Sequence, residues 1–193
     1  MLRCLLDAFS KTDHNVLSKM LDYIDPDAHV GPLHRAAQNG DLEACRMLLE
    51  RGATVDLRDE TRFKSTALHW ACKGKHLRLV KMLVEKGAEV DAKNERGETP
   101  FLVASSQGET DIMTFLKSKG AAMDITDKQG EMALHKACRS GRQGAVELLL
   151  KQYGDVQLTA FFRGEATATT PLHCAVRNGH LDVVKMLVSR GAD

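Results

Sequence analysis

The sequence predicts an all-α repeat solenoid built from two-helix units. Three observations carry that reading. First, a block recurs: "PLHRAAQNGDLEACRMLLERGATVD" from Pro32 returns as "ALHWACKGKHLRLVKMLVEKGAEVD" from Ala67 and "PFLVASSQGETDIMTFLKSKGAAMD" from Pro100. It returns again as "ALHKACRSGRQGAVELLLKQYGDVQ" from Ala133 and "PLHCAVRNGHLDVVKMLVSRGAD" from Pro171. Second, the equivalent positions His34, His69, Leu102, His135 and His173 lie 35, 33, 33 and 38 residues apart, a period typical of stacked arrays. Third, apolar residues inside each block keep helical spacing and glycines punctuate it at fixed offsets.

The elements follow in chain order. Residues 1–29 read as a worn first unit, a two-helix cap, with Val16, Leu17, Met20 and Leu21 in register with Ala44, Cys45, Leu48 and Leu49 of the first full copy. End units differ because one of their faces meets water. Each full copy then opens a first helix at Thr-Pro-Leu-His or a variant. Threonine at the cap accepts from an orphan backbone N–H, and proline fits the first helical position because its missing N–H costs nothing there. Gly40, Gly108, Gly141 and Gly179 stand six residues after the histidine position and suit a turn that needs positive φ. The second helix carries Leu42, Cys45, Leu48 and Leu49 in one copy and Leu77, Val80, Leu83 and Val84 in the next. Gly52, Gly87, Gly120 and Gly191 end it. A polar, extended stretch such as "EVDAKNERGET" follows and suits a hairpin-like finger.

Departures from the pattern are informative. Lys75 replaces a turn glycine while Gly74 sits one place earlier, which reads as a shifted turn. Leu102 replaces the motif histidine, Met132 replaces the capping threonine, and Tyr153 stands where glycine would end a helix. These losses concentrate in residues 97–157, which predicts that stretch to be the least stable. Two fingers are long: "LRDETRFKST" by about two residues and "LTAFFRGEATATT" by about five, lengthening that loop entropy tolerates cheaply.

These motifs resemble the ankyrin repeat family over residues 30–193. The resemblance implies one domain, 1–193, in which a degenerate cap at 1–29 precedes five repeats. These span 30–61, 62–96, 97–129, 130–165 and 166–193, the last incomplete. It implies a stack of helix–turn–helix units with β-hairpin fingers. It also implies structural work for the motif pairs Thr66/His69 and Thr170/His173, and for His34 and His135, which lack the threonine. These residues would bond backbone groups and tie neighbouring repeats together. His76 and His180 occupy motif places as well.

Composition bounds the function. Of 193 residues, 43% are hydrophobic and 27% charged, with a formal net charge of +1. That balance is globular and gives no global attraction to nucleic acid or anionic lipid. No apolar run is long enough to insert in a membrane. The opening "MLRCLLDAFS" has an acidic residue in its apolar stretch and no small-residue cleavage site, so it is not read as a signal peptide. Five cysteines form no Cys-x-x-Cys, which favours a reducing, intracellular setting, cytoplasmic first and nuclear second. No phosphate loop, catalytic triad or metal-ligand spacing is present, so no catalytic, cofactor or metal residue is assigned.

The expectation is a non-catalytic interaction module: a scaffold, adaptor or inhibitor. The alternative is a targeting or substrate-recruiting arm of a larger enzyme or channel. In the family the first-helix faces and the fingers bind partners. Here the outward first-helix positions include Arg35, Trp70, Lys73, Val103, Lys136, Arg139 and Arg177. Basic residues and one tryptophan there point to an acidic or amphipathic segment of another protein. Among finger residues, Arg62, Phe63, Phe161, Phe162 and Arg163 are candidates. Phe161 and Phe162 are adjacent, so an extended strand turns them to opposite faces. Either a partner takes one ring, or the long finger folds back and the rings fill a groove between fingers. The last second helix, with Leu181, Val184, Met186, Leu187 and Val188, has nothing after it to stack on. The chain is expected to continue past Asp193, or else this end packs against another copy or another molecule; a monomer or weak self-association through that end is expected.

Overall fold

The computed structural model describes residues 19–153, 162–163 and 168–192. The chain divides into two compact units, residues 1–89 and 90–193. Ten helices and one short strand pair are present among the described residues. The cap assigned to residues 1–29 lies mostly outside them, as does Tyr153 beyond its backbone.

In the first unit, α1 (Pro32–Asn39) and α2 (Leu42–Glu50) form one helical hairpin and α3 (Ala67–Lys73) and α4 (Leu77–Glu85) the next. The first helices pack together, α1 on α3, and so do the second helices, α2 on α4. Small residues make this close approach possible: Ala36, Ala37, Ala71 and Cys72 sit between Leu33, Leu68, Leu79, Val80 and Leu83, all buried. The second unit repeats the plan with α5 (Pro100–Gln107), α6 (Thr110–Ser118), α7 (Ala133–Arg139), α8 (Gln143–Tyr153), α9 (Pro171–Arg177) and α10 (Leu181–Ser189). Here α7 lies between α5 and α9, and α8 between α6 and α10. The stretch expected to be weakest contains Phe101, Ile112, Met113, Leu116, Leu134 and Leu149, all fully buried. A closed apolar core there stands against the polar ties its sequence has lost.

The motif histidines join these pieces. His34 Nδ1 accepts from the Gly31 N–H at 3.1 Å, and its Nε2–H donates to the Leu57 carbonyl of the following finger at 2.7 Å. The Thr66 N–H and hydroxyl both donate to His69 Nδ1, at 3.2 and 2.9 Å. Thr170 does the same to His173, at 3.4 and 2.8 Å. The threonine is therefore chiefly a partner of the imidazole. Without it, Met132 keeps only the backbone half, its N–H donating to His135 Nδ1 at 3.4 Å. Leu102 keeps none of the ring chemistry and is buried instead.

A second set of ties runs through the residue that opens each second helix. The His76 Nε2–H donates to the Gln38 carbonyl at 3.2 Å, and the His180 Nε2–H to the Arg139 carbonyl at 2.9 Å. Arg142 takes this role through Nε on the Ser106 carbonyl at 3.1 Å. All three carbonyls lie two residues before a turn position. The His76 ring passes so close to Gly40 that a Cβ there would sit 2.5 Å from it, and Gly141 stands in the same relation to His180.

The turn at Lys75 corrects the sequence reading. The turn has not shifted: Gly74 keeps φ −78°, while Lys75 itself takes φ +66°, where the other copies place glycine. Gly74 is glycine for a different reason, since a Cβ there would meet the His76 ring at 2.6 Å. A left-handed lysine costs about 1–2 kcal/mol.

The fingers are also more specific than hairpins. Asp59, Asn94 and Asp127 each turn the chain by accepting backbone N–H groups two and four to six residues ahead, from Thr61 and Ser65, Arg96 and Glu98, and Gln129 and Glu131. Strand pairing occurs, among the described residues, only in the long finger, where β1 (Phe162–Arg163) runs antiparallel to β2 (Ala168–Thr169). Carboxylate straps link successive repeats. Asp22 accepts from the Thr54 N–H, Asp56 from Glu89 and Asp91 from Ala122, at 2.9 to 3.2 Å.

Two outcomes follow. Lys75→Gly relieves the left-handed lysine and raises the melting temperature by about 2–4 °C, corresponding to roughly 1 kcal/mol; an unchanged or lower midpoint would show that the lysine is unstrained. Burial pushes the His34 imidazole below its ordinary value, and the Leu57 carbonyl and the charges of Asp59 and Asp22 only partly oppose this. A base depressed by folding stabilises the fold fully above its unfolded value of 6.5 and loses that contribution as pH falls below it. Thermal melts between pH 7.5 and 5.5 therefore show a falling midpoint. The fall is smaller in His34→Leu, the residue that the third repeat carries naturally at Leu102.

Candidate partner-binding site

The outward first-helix positions meet two different electrostatic fates. In the first unit Trp70, half-buried on α3, donates its indole N–H to Asp59 Oδ2 at 2.7 Å. Asp59 is 1% exposed and also accepts from the Thr61 N–H, the Thr61 hydroxyl and the Ser65 N–H. All four donors are uncharged. The Lys73 ammonium lies 4.9 Å from the centroid of the Trp70 ring, and the Arg62 guanidinium 4.6 Å from that of Phe63. Such cation–π contacts hold a charge over a ring without neutralising it. Arg35, Arg62 and Lys73 are exposed, and Arg58 steadies the finger by donating to the Lys64 carbonyl at 3.3 Å.

In the second unit, the position equivalent to Trp70 is Lys136. Its side chain is 11% exposed, and the ammonium meets Asp127 at 2.7 Å, Glu98 at 2.8 Å and Glu131 at 3.3 Å. Arg139 pairs with Glu131. The turn acid Asp127 thus receives Lys136 as Asp59 receives Trp70. Where the outward residue is Val103, the turn residue is the neutral Asn94, which pairs with Glu98. In this unit the basic residues read from the helices are neutralised: carboxylates from two fingers close on Lys136 and Arg139. Counting along helices could not register them, because the acids belong to finger residues.

Burial alone would push Glu98 up, but the hydrogen bond and charge of Lys136 hold it below the ordinary 4.5. Burial opposes the Lys136 charge, yet Asp127 and Glu98 raise the ammonium above 10.5. The acid contributes stability above 4.5 that is lost as pH falls through its lowered value. The lysine contributes stability below 10.5 that is lost as pH rises through its raised one. The network is complete across the neutral range.

The other candidates are distributed. Val103 is half-buried and Arg177 exposed. Arg177 borders a depression of about 440 Å3 lined also by Leu172, His173 and Val176. Val176 is 58% exposed, whereas the equivalent Ser105 and Cys138 are fully buried. His173 is likewise exposed, unlike His135. Phe161 lies outside the described residues; Phe162 and Arg163 are placed as backbone of β1 only. Cys45, Cys72, Cys138 and Cys174 are buried and unpaired, and burial raises each thiol above its ordinary value. Among the described residues no cluster of histidine, cysteine and carboxylate could hold a metal ion. No helix there is long and apolar enough to cross a membrane.

The chain matches the family described as ankyrin repeats (3 copies) in four overlapping windows, residues 3–94, 33–127, 68–160 and 101–193. It is similar to transient receptor potential cation channel subfamily A member 1 of Homo sapiens, 33% identical over 184 residues, covering 92% of this chain and 16% of that protein. It is similar to the ankyrin repeat and KH domain-containing protein mask-1 of Caenorhabditis elegans, 27% identical, covering 83% of this chain and 5% of the relative. Protein phosphatase 1 regulatory subunit 27 of Mus musculus is 34% identical over 94 residues, covering 48% of this chain and 58% of that protein. The chain thus spans less than two thirds of each of these relatives.

Lys136→Met leaves Glu98 and Asp127 without their cation, while Glu131 keeps Arg139. The expected loss is about 3 kcal/mol at neutral pH, shrinking below pH 4.5 as Glu98 protonates. Denaturant unfolding at pH 7 and pH 4 checks both parts. A loss independent of pH would show that the lysine acts through packing of its stem.

Proposed function

The chain belongs to the ankyrin repeat family, and from that premise we propose that it works as a non-catalytic interaction module, a scaffold, adaptor or inhibitor. Ankyrin repeats mediate protein–protein interaction. The observation that carries the proposal is how the outward side chains are held. Trp70 and Lys136 leave rigid first helices and are fixed by finger acids, so helix and finger present one pre-ordered surface. Pre-ordering lowers the entropy lost on binding. Groups that chemistry would need are committed elsewhere: His34, His69 and His135 are bonded into the frame, and the thiols among the described residues are buried.

The partner surface consists of Arg35, Trp70, Lys73, Arg62 and Phe63 in the first unit. In the second it consists of Val103, Arg177 and the long finger with Phe161, Phe162 and Arg163. Lys136 and Arg139 serve it indirectly, by setting the fingers. The occupant is an acidic or amphipathic segment of another protein, met inside the cell, where the unpaired thiols persist. Weak self-association is assigned to the last second helix, where Leu181 and Val188 are exposed. A second reading, a targeting arm of a larger protein, is favoured by one specific finding: the match to the human channel covers nearly all of this chain but 16% of the channel.

Capture on the immobilised chain, identification by mass spectrometry and hydrogen exchange of the purified complex test the module. The expected footprint is slower exchange in the fingers and first helices. A footprint confined to the second helices α2, α4, α6 and α8 would overturn the assigned surface, and the absence of any partner that binds the purified chain would overturn the module.

A further inference from the structure

We propose that the corner of the first unit formed by Trp70, Lys73, Arg62 and Phe63, with Arg35 beside it on α1, is the acid-recognition site of this protein. It would take a short segment of a partner protein carrying carboxylates on either side of an apolar side chain. The inference rests on the interaction-module reading and locates its charge-dependent part.

Equivalent positions hold Trp70 and Lys136, and each reaches the turn acid of its finger. Lys136 spends its charge on three carboxylates. Trp70 satisfies Asp59 with a neutral N–H, so that acid needs no cation, and burial removes it from the surface. Lys73 and Arg62 are left over aromatic faces and remain exposed. Among the described residues none of Arg35, Arg62 and Lys73 lies within 4.0 Å of a carboxylate. Asp25 acts on Arg35 through its charge; for Lys73 and Arg62 the complementary charge is assigned to another molecule.

The chemistry of the rings narrows the occupant. A carboxylate approaching Lys73 or Arg62 arrives at the edge of a half-buried ring, where an apolar neighbour can cover Trp70 or Phe63. Tryptophan and arginine in such partly desolvated places are the residue types that dominate interface energetics. A long polyanion fits less well. The exposed Glu60 interrupts the finger cations, and a chain of net charge +1 offers no extended basic track.

Trp70 is the single tryptophan of the chain, so its fluorescence reports on this corner. The full chain is titrated with a ten-residue peptide of Asp and Glu around one central Leu. A Lys-for-acid version and heparin serve as comparison ligands. The expected result is a saturable change in Trp70 emission that weakens with salt and is absent with the basic peptide. Lys73→Glu and Arg62→Glu should each weaken binding by about tenfold or more, with thermal melts unchanged because both side chains are exposed. Arg177→Glu should leave it unchanged. The proposal falls if the acidic peptide leaves the emission unaltered, if either reversal leaves the affinity intact, or if heparin binds more tightly than the peptide at equal charge. A captured protein whose footprint lies wholly within residues 90–193 would also overturn it while leaving the interaction module standing.

Discussion

The motif imidazole is the joint on which this structure depends. One ring nitrogen accepts the backbone N–H that opens its own helix, and at His34 the other donates to the carbonyl of the finger that follows. A single neutral side chain therefore caps a helix and sets the finger beside it. It must be neutral to do both, because a doubly protonated ring has no acceptor. Burial of the ring enforces that form. The arrangement also explains the use of threonine before the histidine: its hydroxyl adds a second donor to the same nitrogen.

Once the fingers are set, electrostatics decides what each part of the surface offers. The two units solve one problem in opposite ways. A finger acid must be satisfied where it is buried, by Trp70 in one case and Lys136 in the other. Burying a carboxylate with neutral donors leaves neighbouring cations exposed. Pairing three, two of them buried, with one lysine and one arginine consumes those cations and builds a charge network whose members depend on one another. A modest difference at one helical position thus separates a surface rich in unneutralised charge from one that is internally closed.

Packing and turn geometry bound how far such substitutions can go. The turn glycines are required by positive φ and by the passage of the His76 and His180 rings across them. Lys75 shows the cost that a copy tolerates when a lysine itself takes the left-handed turn position. Leu102 shows that an apolar side chain can fill the histidine slot when the surrounding core is closed. The repeats are therefore interchangeable in outline and individual in their polar ties.

Much of this was legible in the chain itself. The period near 33, the helix pairs and the capping glycines are short-range features, and local spacing determines them; the histidine joints were what the family resemblance implied. The outward positions were also legible, since helical periodicity says which side of a helix a residue occupies. Their chemistry was not. Whether Lys136 carries free charge depends on Glu98, Asp127 and Glu131, which come from two fingers and converge only when the repeats pack. Whether Lys75 or Gly74 bears the left-handed turn depends on the His76 ring that crosses the turn. The sequence determined the repeat and its faces because those obey periods of a few residues. The tertiary structure decided which charges are spent and which are exposed, because electrostatic pairing answers to distance in space and not to distance along the chain.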